Sequence, residues 1–179
     1  MNVTVKFDMT ITARAIAKLK DKAPHLIAHA VNRSAGTART AMSRAISADM
    51  RLKVGTVRER IRIQEATTQR HSATLFASAK RIPIYEFGAK GPYPSRGRGR
   101  GVSARTTTGR YPRAFIARMA SGHKGVFERT GKARLPIREL FGASIAHVFT
   151  KLRPVGIAAA RESLLKNLQS NFRFATRAA

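Results

Sequence analysis

The chain has 179 residues, the size of a single domain, and its lack of cysteine excludes disulfide bonds, thiolate metal sites and a cysteine nucleophile. Thirty-five lysines and arginines oppose nine acidic residues, which gives a formal net charge of +26 at pH 7. Such a surface attracts polyanions, with nucleic acid the first candidate, acidic protein surfaces the second and anionic lipid the third.

The beginning of the sequence has the pattern of a folded segment. Residues 1–8 alternate between polar and apolar side chains, which predicts a short strand and is not typical of a signal peptide. No run of about 18 apolar residues occurs, so the sequence predicts nothing that spans a membrane. We therefore expect synthesis and residence in a cytoplasm, and one domain over residues 1–179.

A long amphipathic helix is predicted over residues 24–49, where apolar residues recur at steps of three and four. The opposite face of this helix carries Arg33, Arg39 and Arg44. This basic face either lies in solvent above a sheet, or lines a channel that contains DNA or contacts an acidic neighbour. His25 and His29 are four residues apart, but no third ligand lies at a useful spacing, so we expect no metal site.

Short extended segments follow the long helix. Thr56 and Glu59 have the spacing of a capping box, which predicts a helix of about two turns over residues 57–61. Three further segments are expected to be extended, the first two as an antiparallel pair: residues 61–65, 73–79 and 82–87.

Glycine and arginine alternate in a segment that we expect to form an extended basic loop over residues 88–113. Its arginines are Arg96, Arg98, Arg100, Arg105 and Arg110. The composition resembles arginine–glycine segments that coat single-stranded nucleic acid, although only Tyr93 and Tyr111 are available for base stacking. The segment is either a solvated mobile loop or an arm that becomes ordered against a neighbouring subunit or DNA phosphates.

A β-hairpin is predicted next, because two strand-like runs, residues 114–119 and 125–129, are joined by a polar turn that contains glycine. Residues 135–142 form a third extended piece, and Pro136 places it at a sheet edge or a bulge.

The acidic residues of this block are interpreted as ion-pair partners. Glu128 and Glu139 lie among arginines that include Arg129 and Arg138, and we expect these charges to fix strands or subunit contacts. No two of the nine acidic residues fall in a motif for general acid–base chemistry, and GxSxG and GxxxxGK motifs are absent. The sequence therefore predicts a protein that is not an enzyme and has no cofactor.

A short helix over residues 145–149 precedes a final helix, which is predicted to begin near Pro154 and to fray from Arg173. The apolar stripe of this helix is expected to pack on the sheet or on the first helix. The predicted fold class is α+β: an antiparallel sheet of about four to six short strands, covered by a long N-terminal helix and a C-terminal helix.

Three segments in order within residues 114–144, AFIARM, GVFER and LPIRELFG, resemble the minor tail protein Z (tail completion) family of bacteriophages and prophages. The segment GTVRERIRI at residues 55–63 and the basic loop after Gly88 are also similar to that family. The resemblance implies a structural virion protein of a long-tailed phage, a neck subunit at the head-proximal end of the tail, with the host cytoplasm as its place of assembly.

The resemblance further implies a homo-oligomeric ring, expected to be a hexamer, around a channel for genomic DNA. Its implied partners are tail terminator, tail tube and head-connector proteins, and its role is head–tail joining with DNA passage or retention. In such a ring, arginines hold phosphates without reading sequence. The alternative is a free-standing basic architectural protein that binds nucleic acid. Composition alone favours it, but the sequence lacks helix-turn-helix spacing, zinc-finger ligands and an aromatic RNA-binding motif.

Overall fold

The computed structural model describes residues 23–92 and 101–177, and the strand predicted over residues 1–8 lies outside them. The described chain has an α+β fold. Its helices are α1 Ala23–Met50, α2 Val54–Glu59, a 3-10 helix Ile84–Phe87, α3 Ala146–Lys151 and α4 Arg153–Arg177. Its strands are β1 Ile61–Gln64, β2 Thr74–Ala77, β3 Val102–Ser103, β4 Arg110–Tyr111, β5 Ala114–Arg118, β6 Lys124–Arg129 and β7 Ile137–Glu139.

The strands form three small antiparallel sheets where we expected a single sheet. β1 pairs with β2, β3 pairs with β4, and β5, β6 and β7 form a three-stranded sheet with β6 in the centre. The chain between β2 and β5 contains Pro83 and Pro92, which lack the N–H that a continuous ladder needs. Pro136 directly precedes β7, an edge strand of its sheet, so its predicted position at a sheet edge is confirmed.

The long first helix is confirmed, since α1 covers the predicted range with one extra residue at each end. Its apolar side is buried, and its last turn ends at Arg51, whose φ of +55° is left-handed. The Leu52 N–H donates to the Ser47 carbonyl over 3.1 Å, which closes the helix in a Schellman motif. Glycine usually occupies the left-handed position, and arginine there costs roughly 1–2 kcal/mol.

α4 packs along α1, which is one of the two positions predicted for it. Asn167 lies buried between the helices, where its amide donates to the Ser34 hydroxyl over 3.1 Å and to the Ser163 hydroxyl over 3.0 Å. These hydrogen bonds fix the register of the two helices, because a shifted helix would leave the amide unsatisfied. α4 continues to Arg177, four residues beyond the position from which we predicted fraying.

Two local predictions are corrected. The capping box is wrong because α2 begins earlier, at Val54, and the Thr56 hydroxyl instead donates to the Glu86 carboxylate over 2.9 Å. Residues 82–87 are extended only at first, where Pro83 bridges to Phe141. The 3-10 helix that follows ends at Gly88, which has a left-handed φ of +68°.

Part of the predicted basic loop is also ordered as strands. β3 and β4 form a two-stranded ribbon within residues 101–113, and Lys90 bridges to Ser103. The remaining part of the loop, residues 93–100, lies outside the described residues.

Two clusters of buried apolar residues organise the described chain. The helical cluster joins α1, α2, α3, α4 and the β1–β2 pair, with Met42, Ile46 and Phe149 among its members. The sheet cluster lies between β3, β5, β6 and the 3-10 helix, and consists of Ile84, Val102, Ala114, Ile116 and Val126. None of the helices in residues 23–92 and 101–177 combines the length and apolarity needed to cross a membrane.

Candidate interaction surface

The segments that carry the family resemblance fold together as the three-stranded sheet. AFIAR forms β5, GVFER lies in β6, and IRE forms β7. One side of the sheet packs on the sheet cluster through Ile116 and Val126, which lie opposite each other in neighbouring strands. The predicted hairpin is therefore confirmed, and β7 is added to its β6 edge.

Glu128 and Arg138, predicted as ion-pair partners, lie opposite each other on β6 and β7. The Arg138 guanidinium donates to the Glu128 carboxylate through Nη2 at 2.8 Å and Nε at 3.3 Å. Arg138 is largely exposed, so this pair contributes at most about 1 kcal/mol to stability. The pair joins two strands of one chain, and a role between subunits stays a prediction.

The other two predicted charges contact aromatic and imidazole groups on the opposite side of the sheet. The Arg129 guanidinium lies 5.8 Å from the centre of the Phe115 ring. Glu139 contacts Nε2 of His123 at 2.9 Å, and the His123 ring meets the Phe127 ring edge-on. The second side of the sheet is therefore aromatic, with Arg129 at one end and Glu139 at the other.

Gly125 leaves room for the Glu139 and Phe127 side chains on this side of the sheet. A Cβ at that position would lie 2.7 Å from a Glu139 carboxylate oxygen and 2.9 Å from the Phe127 ring. A larger residue at this position would have to displace the Glu139 carboxylate and the Phe127 ring.

The loop between β6 and β7, residues 130–136, is exposed along its whole length. It is closed at its base by Thr130, whose N–H and hydroxyl both donate to the Pro136 carbonyl, at 3.2 and 3.0 Å. The loop carries Lys132 and Arg134, and Leu135 at its end is 66% exposed. It is a basic, exposed loop with an exposed apolar residue beside its base.

An open groove of about 440 Å³ lies beside the three-stranded sheet, where Ala114 and Glu128 line it. Its lining combines apolar side chains with basic ones and includes Tyr111, Pro112, Leu140, Arg110, Arg113 and Glu128. Because Glu128 also binds Arg138, the groove and the β7 edge meet at that ion pair.

The remaining predicted arginines lie elsewhere. Arg33 and Arg44 are exposed on α1, while Arg39 is half-buried, and its buried Nε has no hydrogen-bond partner among the described residues. Arg105 lines an open cleft of about 510 Å³ at the end of α1, together with Arg51 and Phe87. The structure thus brings Arg105 to the C-terminus of α1 and Arg110 to the groove beside the sheet. Arg96, Arg98 and Arg100 lie outside the described residues.

Several side chains at these surfaces were not singled out as site residues from sequence. Arg51 lines the cleft, and its backbone has a left-handed conformation. Because glycine is the usual residue in that conformation, the sequence does not indicate it at Arg51. Leu135 was placed in an extended piece, yet it lies in the loop before β7. His123 was placed in a turn, and its partner Glu139 is sixteen residues away. Within the described ranges, no three His, Asp or Glu side chains are grouped to hold a metal ion.

Comparisons with known proteins agree with the resemblance carried by the sheet. The family model of prophage minor tail protein Z (GPZ) matches residues 9–178. The tail completion protein of Escherichia phage N15 is 30% identical over 122 residues, a match that spans 66% of each chain. No solved structure matches the chain. A family match across almost the whole sequence, with its signature segments assembled in one sheet, shows that this chain belongs to the prophage minor tail protein Z family.

Proposed function

We propose that this protein is a tail completion subunit, which joins the head to the tail of a long-tailed phage from the neck of the virion. The observation that carries the proposal is the family match over residues 9–178, which indicates a structural role in a phage tail. The N15 relative, named a tail completion protein, supports the more specific assignment. In this proposal the subunits form a homo-oligomeric ring, expected to be a hexamer, in contact with tail terminator, tail tube and head-connector proteins.

In such a ring, the positive charge of the chain would bind DNA. DNA passing through a channel is bound through its phosphates, and arginine and lysine side chains hold phosphates without distinguishing base sequences. We assign this contact first to Arg96, Arg98, Arg100 and Arg105, in the segment where basic residues are densest. Arg110 and the α1 arginines Arg33, Arg39 and Arg44 are further candidates. The alternative, a free-standing architectural protein, is favoured by the charge alone.

Deleting the gene from its prophage tests the structural role. We expect induced cells to accumulate DNA-filled heads and separate tails, because the subunit that joins them is missing. Electron microscopy of the lysate gives the ratio of joined to separate particles, and the gene supplied on a plasmid is the control. Normal numbers of joined, infectious particles after deletion would contradict the proposed function.

Binding to DNA over a salt series tests the phosphate contacts. Replacing Arg96, Arg98, Arg100 and Arg105 with glutamine should reduce the slope of log K against log salt by up to about 4, because each phosphate contact contributes about 0.9. A matched control replaces four exposed cations between the start of α2 and the 3-10 helix, Arg58, Arg62, Lys80 and Arg81, and should change the slope less. Tight binding to one sequence at roughly 200 mM salt would favour the architectural alternative.

A further inference from the structure

The end of the three-stranded sheet concentrates positive charge around one exposed apolar side chain. Arg129 ends β6 opposite Ile137, the first residue of β7, and the loop of residues 130–136 projects between them. We define the sheet-end surface as this loop, which contains Lys132 and Arg134, together with the cations around its base, Arg113, Arg129 and Arg138. All five cations are exposed, and Leu135 stands among them with 66% of its surface in solvent.

Hydrogen bonds within the chain order the loop without a bound partner. The two hydrogen bonds from Thr130 to the Pro136 carbonyl close its base, and the Glu128–Arg138 pair joins the strands directly beneath it. A protrusion that is already ordered loses little conformational entropy when it binds, so its contacts contribute more of their energy to affinity.

We propose that the sheet-end surface docks into an acidic surface of a different protein of the virion tail or neck. Leu135 fills an apolar pocket of that partner, and the surrounding cations meet its carboxylates. This inference rests on the proposed function, and it names the surface that makes one of the contacts with a neighbouring protein. Charge complementarity of this kind guides encounter and excludes partners of like charge.

A second copy of the chain does not supply the acidic surface. Five of the seven acidic side chains in the described ranges already bind a side chain of their own chain: Asp49, Glu86, Glu128, Glu139 and Glu162. In the described ranges, Glu59 and Glu65 remain to meet the cations of another copy. Each copy carries a formal net charge of +26, so two copies would repel each other across this surface.

DNA fits the sheet-end surface less well than an acidic protein does. A phosphate backbone attracts the cations but gives no partner to an exposed leucine. The neighbouring groove also presents Tyr111, Pro112 and Leu140 beside Arg113. Apolar and aromatic contacts interspersed with arginines are typical of a protein–protein interface.

Complementation of the deleted prophage tests the surface. Leu135→Asp and Arg134→Glu should each lower the yield of infectious particles by at least about tenfold, because each puts a negative charge against the acidic partner. Arg161→Glu is the matched control for Arg134→Glu: it makes the same charge change at an exposed site on α4 and should leave the yield within about twofold of the wild type. All three positions are exposed, so thermal unfolding midpoints should stay unchanged. Wild-type yields from both sheet-end variants would overturn the proposal.

A photo-crosslinker identifies the partner directly. Leu135→p-benzoyl-L-phenylalanine, introduced into the full chain and assembled into particles, should crosslink on irradiation to a different tail or neck protein, at a peptide rich in Asp and Glu. Crosslinks to a second copy or to DNA would overturn the inference and leave the tail role standing. If the wild-type protein is absent from purified particles, both the inference and the proposed function fail.

Discussion

Replacing Phe149 with alanine is expected to destabilise the protein by about 3–5 kcal/mol, the range for truncating a buried aromatic side chain. Phe149 lies in α3 with no exposed surface, and it belongs to the helical cluster that joins α1 to the β1–β2 pair. Its removal leaves a cavity that the surrounding helices and strands fill only in part. Since a domain of this kind has about 5–15 kcal/mol of stability, the variant should lose a large fraction of the total.

Urea unfolding followed by circular dichroism measures this loss. The matched control is Phe174→Ala on α4, because that phenylalanine is 75% exposed and its truncation should change the free energy of unfolding by less than about 1 kcal/mol. Equal losses for the two variants would show that the helical cluster is not the main core of the protein.

Gly101→Ala is expected to cost about 2–5 kcal/mol by displacing the β3–β4 ribbon. Gly101 has a φ of +79°, where any other residue is less stable by roughly 1–2 kcal/mol. An added Cβ would also lie 2.4 Å from the Tyr111 carbonyl oxygen and 2.5 Å from Pro112 Cα. Those are backbone atoms, so the clash is relieved only by moving β4, at an overpacking cost of about 1–3 kcal/mol. Val102, fully buried in the sheet cluster, would move with it.

Gly109→Ala separates the two causes. Gly109 has a similar φ of +71°, but nothing lies within 4 Å of the position its Cβ would take. This control variant should therefore lose only the roughly 1–2 kcal/mol of backbone strain. The difference between the two free energies of unfolding, measured in urea, gives the cost of the clash. If Gly101→Ala is no worse than Gly109→Ala, the ribbon does not pack as described.

Sequence patterns were sufficient where the structure is local. The periodicity of apolar residues located α1 to within one residue at each end, and the polar turn between two short runs identified the β5–β6 hairpin. The ordered segments of residues 114–144 were enough by themselves to indicate the family. These features depend on residues that are close together in the chain, so a single sequence contains them.

Contacts between distant residues could not be predicted in the same way. Thr56 and Glu59 satisfy a capping pattern, yet the Thr56 hydroxyl is taken by Glu86, thirty residues away. The division of the strands into three sheets depends on which edges meet in space. At the candidate surface, the pairing of Glu128 with Arg138 follows from the register of β6 and β7. Leu135 is exposed in a loop whose ends are joined by a hydrogen bond between Thr130 and Pro136, six residues apart.

Among the described residues, five buried side chains form the sheet cluster and eighteen form the helical cluster. Regions that bury less apolar surface open locally at a lower free energy, so the three-stranded sheet should exchange its amide hydrogens before the paired helices do. A neighbour bound at the end of that sheet would suppress these openings. Part of the binding free energy of that neighbour would then offset the conformational entropy that the sheet loses. Assembly would make the subunit more rigid than it is alone.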